Sequence, residues 1–118
     1  MATFIKPMKL QSRFDGLTNP LQLIFSIHPI SKIRYMAWLD HPPIDCSGLS
    51  TLSLSSDPIP RKEYIPASTV TFPYFLYHQN GTPSRGTVTI TQDGKIMFSP
   101  SQGTFSGEIK IIGGAISY

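Results

Sequence analysis

Cysteine is almost absent from this chain. Cys46 is the single cysteine among 118 residues, so no disulfide can form within the chain. Small secreted scaffolds depend on several disulfides, whereas a lone cysteine fits a protein assembled in a reducing cytosol. Residues 1–7 also lack the sustained apolar segment of a signal peptide. The sequence therefore excludes a disulfide scaffold, and we expect no secretion signal.

Charged residues are scarce as well. They make up 14% of the chain, against roughly a quarter in ordinary soluble domains. The net charge is +3, and Arg61-Lys62 is the only adjacent basic pair in the sequence. Nucleic-acid interfaces normally gather basic residues on one face. The scattered charges therefore predict a solvated surface and no nucleic-acid partner.

Motifs for catalysis or metal binding are missing from the sequence. There is no Gly-x-Ser-x-Gly element and no glycine-rich phosphate loop. His41 and Cys46 are separated by two prolines and have no paired partners, so they lack zinc-ligand spacing. We therefore predict that the protein is not an enzyme and needs no metal or cofactor.

Long apolar runs and helix-favouring residues are also few. The longest apolar stretch falls far short of the ~20 residues that span a bilayer. Ala, Glu and Lys are scarce, whereas 11 prolines and 9 glycines interrupt the chain throughout. This composition predicts a soluble all-β protein with no membrane insertion and little or no helix.

Two alternating runs in the last third of the chain are the clearest local signal. Residues 87–91 and 95–99 alternate polar and apolar side chains, the pattern of strands buried on one face. Asp93-Gly94 lies between them and suits the positive-φ positions of a tight turn. The pattern predicts a hairpin with four side chains on its buried face: Val88, Ile90, Ile96 and Phe98.

Similar signals recur at intervals of roughly ten residues, as in a sandwich or barrel. Further strands are predicted at 3–10, 21–27, 49–55, 68–72, 74–78, 108–112 and 115–118. Pro73 is expected to break or bulge its strand, and the proline-rich segment 57–66 to form a long connection. We predict an antiparallel β-sandwich or jelly-roll-like barrel of seven to nine strands, forming a single domain over 1–118.

Residues 32–39 leave two interpretations open. Ser31 is a possible helix cap, with Ile33 and Met36 on one side of the helix. The abundance of Ile, Tyr and Trp and the flanking prolines favour a strand instead. As a strand, the segment is expected to bury Ile33, Tyr35, Ala37 and Leu39. Arg34, Met36 and Trp38 would then face outward.

Aromatic and polar side chains near loop ends are the candidate binding residues. Tyr74 and Tyr77 have opposite parity, so a regular strand buries only one of them. Aromatic residues and Arg are enriched at recognition surfaces, and we expect the loops 40–48 and 78–85 to carry the contacts. The predicted binding residues are Trp38, His41, Tyr77, His78, Asn80 and Arg85.

Three segments together resemble the head of a viral attachment fibre, of phage or adenovirus type: residues 60–67, the hairpin 86–96 and the terminal 113–118. The resemblance covers roughly 58–118. It implies an antiparallel sandwich that forms a homotrimer on the virion surface and binds a host-cell glycan or protein receptor. It assigns no receptor-binding residue, and it offers residues 1–20 as the end of a fibre shaft or a linker.

The features of the chain agree with such an assembly. Low charge and strands that are apolar on both faces leave more hydrophobic surface than a monomer of this size covers. Two rivals remain: a monomeric carbohydrate-binding module with Trp38 as its stacking platform, and an OB-type nucleic-acid binder that stacks bases on Tyr74, Phe75 and Tyr77. A trimeric signalling jelly roll shares the architecture but normally carries a secretion signal.

Overall fold

The computed structural model describes residues 7–54 and 59–118. Within these ranges the protein is all-β, as predicted, with one 3₁₀ turn at Lys62–Tyr64. No helix in these residues is long and apolar enough to cross a membrane. The described residues form ten strands: β1 (Met8–Arg13), β2 (Pro20–Ile27), β3 (Arg34–Trp38), β4 (Ile44–Asp45), β5 (Leu52–Ser53), β6 (Val70–His78), β7 (Pro83–Ile90), β8 (Ile96–Pro100), β9 (Glu108–Ile111) and β10 (Gly114–Ser117).

The strands form two antiparallel sheets, which confirms the predicted sandwich. The four-stranded sheet has the order β1-β2-β3-β10, and the six-stranded sheet has the order β4-β9-β6-β7-β8-β5. The chain passes from the larger sheet to the smaller one between β9 and β10, at Gly113. The backbone N–H of Gly113 donates to Asp40 Oδ1 at 2.6 Å. A Cβ at Gly113 would lie 2.9 Å from the backbone oxygen of Trp38, so only glycine fits this crossing without movement.

The β7–β8 hairpin forms as the alternating pattern predicts. Ile90 pairs with Ile96 and Val88 with Phe98, and all four side chains are buried. The turn contains a single positive φ, +85° at Gly94, rather than one at each residue of Asp93-Gly94. The N–H of Gly94 donates to the carbonyl of Thr91 at 2.9 Å. This is the three-residue loop in which a type I turn is followed by a left-handed glycine.

Phe98 lies at the centre of the core between the sheets. Its ring makes edge contacts with three other aromatic rings, at centroid distances of 5.0 Å to Tyr74, 5.6 Å to Phe14 and 5.8 Å to Trp38. Edge-to-face contacts of this kind add stabilisation beyond the buried area alone. These rings come from both sheets and from the segment after β1, so Phe98 joins distant parts of the chain.

Residues 34–38 form strand β3, which confirms the strand interpretation, but the predicted face is wrong. Met36 and Trp38 are buried, whereas Ile33, Tyr35 and Leu39 are exposed. Met36 lies opposite Phe25 and Trp38 opposite Leu23, and both partners point into the core. The indole Nε1–H of Trp38 also donates to the carbonyl of Ile112 at 2.9 Å. Both faces of strand β3 are apolar, so the pairing register with β2 determines which face is buried.

Pro73 does not interrupt its strand, contrary to the prediction. Strand β6 is continuous, and Pro73 pairs with Thr87 of β7. On the other side, β9 pairs with β6 only from Leu76 to His78. The N–H of Ile112 donates to the carbonyl of Phe75 at 3.1 Å, so Phe75 and, by alternation, Pro73 direct their backbone groups to that side. Strand β9 does not extend to Pro73, so the missing N–H of this proline costs the sheet no hydrogen bond.

Four predicted segments extend beyond the described residues: 1–20, 3–10, 49–55 and 57–66. Of the predicted strand 49–55, residue 55 lies outside them, and strand β5 covers only Leu52–Ser53. Within 1–20, residues 1–6 lie outside them, whereas strand β1 pairs with β2 and Phe14 is buried in the core. Residues 3–6 of the predicted strand 3–10 therefore also lie outside the described residues. In the predicted connection 57–66, residues 57 and 58 lie outside the described residues. From Ile59 onward the connection packs against the β7–β8 turn, where the N–H of Ile59 donates to the Gly94 carbonyl at 2.9 Å.

Candidate functional site

A short hairpin loop shapes one end of the six-stranded sheet. Strand β6 ends at His78 and β7 begins at Pro83. The N–H of His78 donates to the carbonyl of Thr82 at 3.0 Å, and the N–H of Gly81 donates to the carbonyl of His78 at 2.8 Å. The side chain of Asn80 accepts from the N–H of Thr82 at 2.9 Å, and Gly81 has a φ of +84°. The loop thus repeats the hydrogen-bond pattern of the Gly94 turn and is held rigidly by it.

Four of the six predicted binding residues gather around this loop, and we name this region the hairpin-end surface. Tyr77 faces outward with 45% of its surface exposed, opposite Pro83 on β7 and Lys110 on β9. His78 lines three adjoining shallow clefts, and its Nδ1 is buried without a hydrogen-bond partner among the described residues. The other two predicted members are Asn80 and Arg85.

Trp38 and His41 do not belong to this surface. Trp38 is 3% exposed and His41 is 2% exposed, so the prediction that they contact a receptor from the surface is wrong. Each ring nitrogen of His41 lies near a backbone carbonyl, 2.7 Å from Pro42 O and 3.1 Å from Asn19 O. The imidazole therefore ties together two loops, and the indole fills the core between the sheets. Both residues act in the fold.

An open cleft of about 500 Å³ lies beside the loop, on the outer face of the six-stranded sheet. Phe75 and Arg85 face each other across β6 and β7 and form two of its walls. Phe75 is 61% exposed, which is unusual for a phenylalanine in the middle of a strand. The remaining walls are Pro83, Ser84 and Ser101.

The guanidinium of Arg85 is free in the part of the chain that the structure describes. The ion pair found there joins Arg61 to Glu63 at 2.7 Å, far along the chain from this cleft. No acidic side chain lines the Phe75–Arg85 cleft. The cleft therefore presents a positive charge and an aromatic face side by side, a combination suited to binding an anion with an apolar surface.

Sequence reasoning missed Phe75 and Ser101 as members of the surface, whereas Ser84 lies within the predicted loop 78–85. The signal for Phe75 was present, because Phe75 has the parity of Tyr77 and the opposite parity to Tyr74. Tyr74 is 1% exposed, so Phe75 must face outward. Ser101 had no comparable signal, because it follows the end of β8 and reaches the cleft only through the fold.

Buried ionisable groups lie away from the hairpin-end surface. Burial, assisted by the nearby charge of Asp45, raises the pKa of the Cys46 thiol to about 11. Burial also raises the pKa of Tyr74 well above its usual range, with a smaller contribution from Cys46. A thiol of high pKa is a poor nucleophile and a poor metal ligand. Across residues 7–54 and 59–118, no three His, Cys, Asp or Glu side chains are grouped as a metal site requires.

The sandwich described above is the fold of a viral fibre head. The chain is similar to a solved structure described as the bovine atadenovirus type 4 fibre head protein. The TM-score is 0.62, the sequence identity is 16%, and the alignment covers 97% of this chain and 99% of the other. No protein-family model and no curated protein sequence matches the chain.

The same findings weigh on the two rival interpretations. The carbohydrate-binding module relied on an exposed Trp38, and that indole is buried. The OB interpretation is wrong in its fold, because the strands form two packed sheets of four and six strands. Its stacking residues are also divided, since Tyr74 is buried whereas Phe75 and Tyr77 are exposed.

Proposed function

We propose that this protein is the receptor-binding head of a viral attachment fibre, in which three copies assemble and present a binding surface to the host cell. The observation that carries the proposal is the fold, which matches an atadenovirus fibre head over 97% of the chain. In this proposal the protein lies on the virion surface and acts by adhesion rather than by catalysis. Its receptor is a cell-surface glycan or protein.

The outer face of the four-stranded sheet supports an assembly of identical copies. Ile24 of β2, Ala37 of β3 and Ala115 of β10 lie side by side across this face. Tyr35 lies in the neighbouring row, and Leu39 extends the apolar area beyond the end of β3. Lys9 lies at the β1 end of this row, so the apolar area is a patch centred on β3. Such a patch of mostly small side chains allows close approach of another copy, and a symmetric oligomer buries it.

The outer face of the six-stranded sheet has a different character. Thr87 and Thr89 follow one another on the outer face of β7, and Thr71 Oγ1 of β6 lies 3.3 Å from Thr89 Oγ1 across the pair. Thr87 and Ser99 extend this polar face onto β8. Such a surface is well solvated. In the assembly we propose, the four-stranded sheet faces the other copies and the hairpin-end surface stays open to the receptor.

The mass of the protein in solution tests the assembly. Size-exclusion chromatography with light scattering at micromolar concentration should give three times the chain mass of 13.1 kDa. Ala115→Asp places a charge on the proposed contact face and should yield monomers, because an uncompensated charge is costly in an apolar interface. Thr71→Asp, on the outer face of the six-stranded sheet, is the matched control and should remain a trimer.

Attachment is tested with the same proteins. The fluorescently labelled native chain should bind saturably to at least one line in a panel of cultured animal cells. The monomeric Ala115→Asp variant should bind far more weakly, because three linked sites gain avidity over one. A native chain that is monomeric at micromolar concentration and binds no cell in the panel would refute the proposed function.

A further inference from the structure

The Phe75–Arg85 cleft has the chemistry to select its ligand. Phe75 and Arg85 are directly opposite on β6 and β7, so their Cβ atoms are separated by roughly 5 Å. A single sugar ring is about that wide. One ligand unit can therefore cover the phenyl ring and still reach the guanidinium.

The phenyl ring supplies an apolar platform. Its outward face is mostly exposed, and Pro83 extends the apolar area beside it. The C–H face of a pyranose packs on such a ring, because the sugar is apolar there and polar at its edges. The ring is carried by the middle of a continuous nine-residue strand, so it is held in place before the ligand arrives.

The guanidinium supplies the charge preference. Arg85 has no hydrogen-bond or ion-pair partner within the described ranges, and the cleft walls contain no carboxylate. A planar guanidinium binds a carboxylate through two parallel hydrogen bonds, which is stronger and more directional than a contact with a neutral group.

The rim of the cleft favours a sugar over a protein partner. Ser84 and Ser101 line the cleft, and both also line the neighbouring one. That second cleft continues the polar rim with Gln102, Thr104 and Ser106. Hydroxyl and amide groups match the many hydroxyls of a glycan, whereas the centre of a protein–protein interface is normally more apolar.

We propose that this cleft binds a carboxylate-bearing sugar, with Phe75 stacking on the ring, Arg85 pairing with the carboxylate, and Ser101 bonding to a hydroxyl. This inference rests on the proposed attachment function and makes it more specific, because it names the chemical class of the receptor. Sialic acids and uronic acids share this chemistry.

Titration calorimetry on the native chain tests the proposal with three probes: 3′-sialyllactose, a uronic-acid tetrasaccharide and neutral lactose. At least one acidic probe should bind at least about tenfold more tightly than lactose. If only sialyllactose binds, the ligand is a sialic acid; if only the tetrasaccharide binds, it is a uronic acid. Either result supports the shared chemistry. Equal affinity for lactose, or binding of no probe, would overturn it.

Substitutions test whether the acidic probe binds in this cleft. Arg85→Gln should weaken binding of the acidic probe at least about tenfold, since one charge-assisted pair is lost. Phe75→Ala should weaken it about fivefold or more by removing the platform. Two control variants lie away from the cleft. Lys95→Gln in the β7–β8 turn removes a charge, and Ile30→Ala in the β2–β3 turn removes an exposed apolar side chain. Both controls should bind as the native chain does.

The two proposals fail in different ways. A trimer that attaches to cells, but whose attachment survives Arg85→Gln and enzymatic removal of acidic sugars, would refute the acidic-sugar ligand and leave the attachment function standing. That outcome would point to a protein receptor. A monomer that attaches to no cell would refute the attachment function itself, whatever it does with free sugars.

Discussion

Gly86 lies directly opposite Tyr74 in the β6–β7 pair, and the space that its missing side chain leaves is occupied by the phenol ring. A Cβ at Gly86 would come within 2.5 Å of Tyr74 Cε1 and would also collide with the backbone oxygen of Ser99. Backbone cannot yield as a flexible side chain can. We therefore expect Gly86→Ala to destabilise the protein by about 3 kcal/mol through overcrowding of the core.

Urea denaturation at fixed protein concentration measures this effect. Thr87→Ala is the matched control, because the next residue of the same strand faces outward and its truncation should change stability by less than about 0.5 kcal/mol. If Gly86→Ala and Thr87→Ala unfold at the same urea concentration, Tyr74 does not occupy the position described.

Trp38 provides a second prediction, because it is the single tryptophan of the chain and lies in the core. Its fluorescence should be blue-shifted, poorly quenched by iodide, and unchanged when any sugar binds at the hairpin-end surface. Trp38→Phe should cost about 2 kcal/mol, since it removes the hydrogen bond to the Ile112 carbonyl and leaves a cavity.

The fluorescence prediction is checked by quenching with and without the acidic probe, and with the urea-unfolded chain as the exposed reference. Strong iodide quenching of the native protein, or quenching by sugar, would place the indole at the surface and restore the stacking platform of the carbohydrate-binding interpretation.

Tyr118 predicts a loss of stability at alkaline pH. Its hydroxyl donates to the Tyr64 carbonyl at 2.6 Å, and burial raises its pKa to about 12, against the opposing charge of Arg34. In the unfolded chain a tyrosine titrates near pH 10. The stabilisation is therefore complete below about pH 10 and is lost as the pH rises from about 10 to about 12.

The Tyr118→Phe variant isolates this contribution. At neutral pH it should be less stable than the native chain by about 1 kcal/mol, the net value of one hydrogen bond. The difference should shrink as the pH rises to about 12. Ile116→Val on the preceding strand β10 is the control, because it removes packing without a titrating group and its difference should not change with pH. A constant difference for Tyr118→Phe would contradict the assignment.

Local patterns predicted those parts of the fold in which only one face of a strand is apolar. The β7–β8 hairpin is the clearest case, since the alternation of side chains predicted its buried face and Gly94 predicted the position of its turn. Parity likewise predicted that only one of Tyr74 and Tyr77 is buried, and the structure shows that it is Tyr74. In these segments the local sequence and the tertiary structure favour the same arrangement.

Segments with two apolar faces could not be oriented from the sequence. Strand β3 buries Trp38 rather than Tyr35 because of its neighbours, Leu23 on one side and Gly114 on the other. A Cβ at Gly114 would lie 3.0 Å from the indole, so that glycine makes room for the ring. Such complementarity between distant residues is visible only once the strands are paired.

The candidate site was predicted in part for the same reason. Tyr77, His78, Asn80 and Arg85 were found because they lie close together in sequence around one turn. Trp38 and His41 were wrongly included, since residue type alone does not reveal burial. The contribution of Ser101 depends on pairing between β7 and β8 and has no sequence signature of its own.

Pro73 has a consequence for how copies of the protein behave at high concentration. N-terminal to Leu76, the side of β6 that faces away from β7 is not covered by β9. Among residues 7–54 and 59–118 no strand pairs with this part of the border. An unpaired strand border invites a neighbouring molecule to continue the sheet, which leads to aggregation. The imide nitrogen of Pro73 offers no hydrogen to an incoming strand. The residue that was predicted to interrupt the strand therefore protects the sheet against unwanted extension.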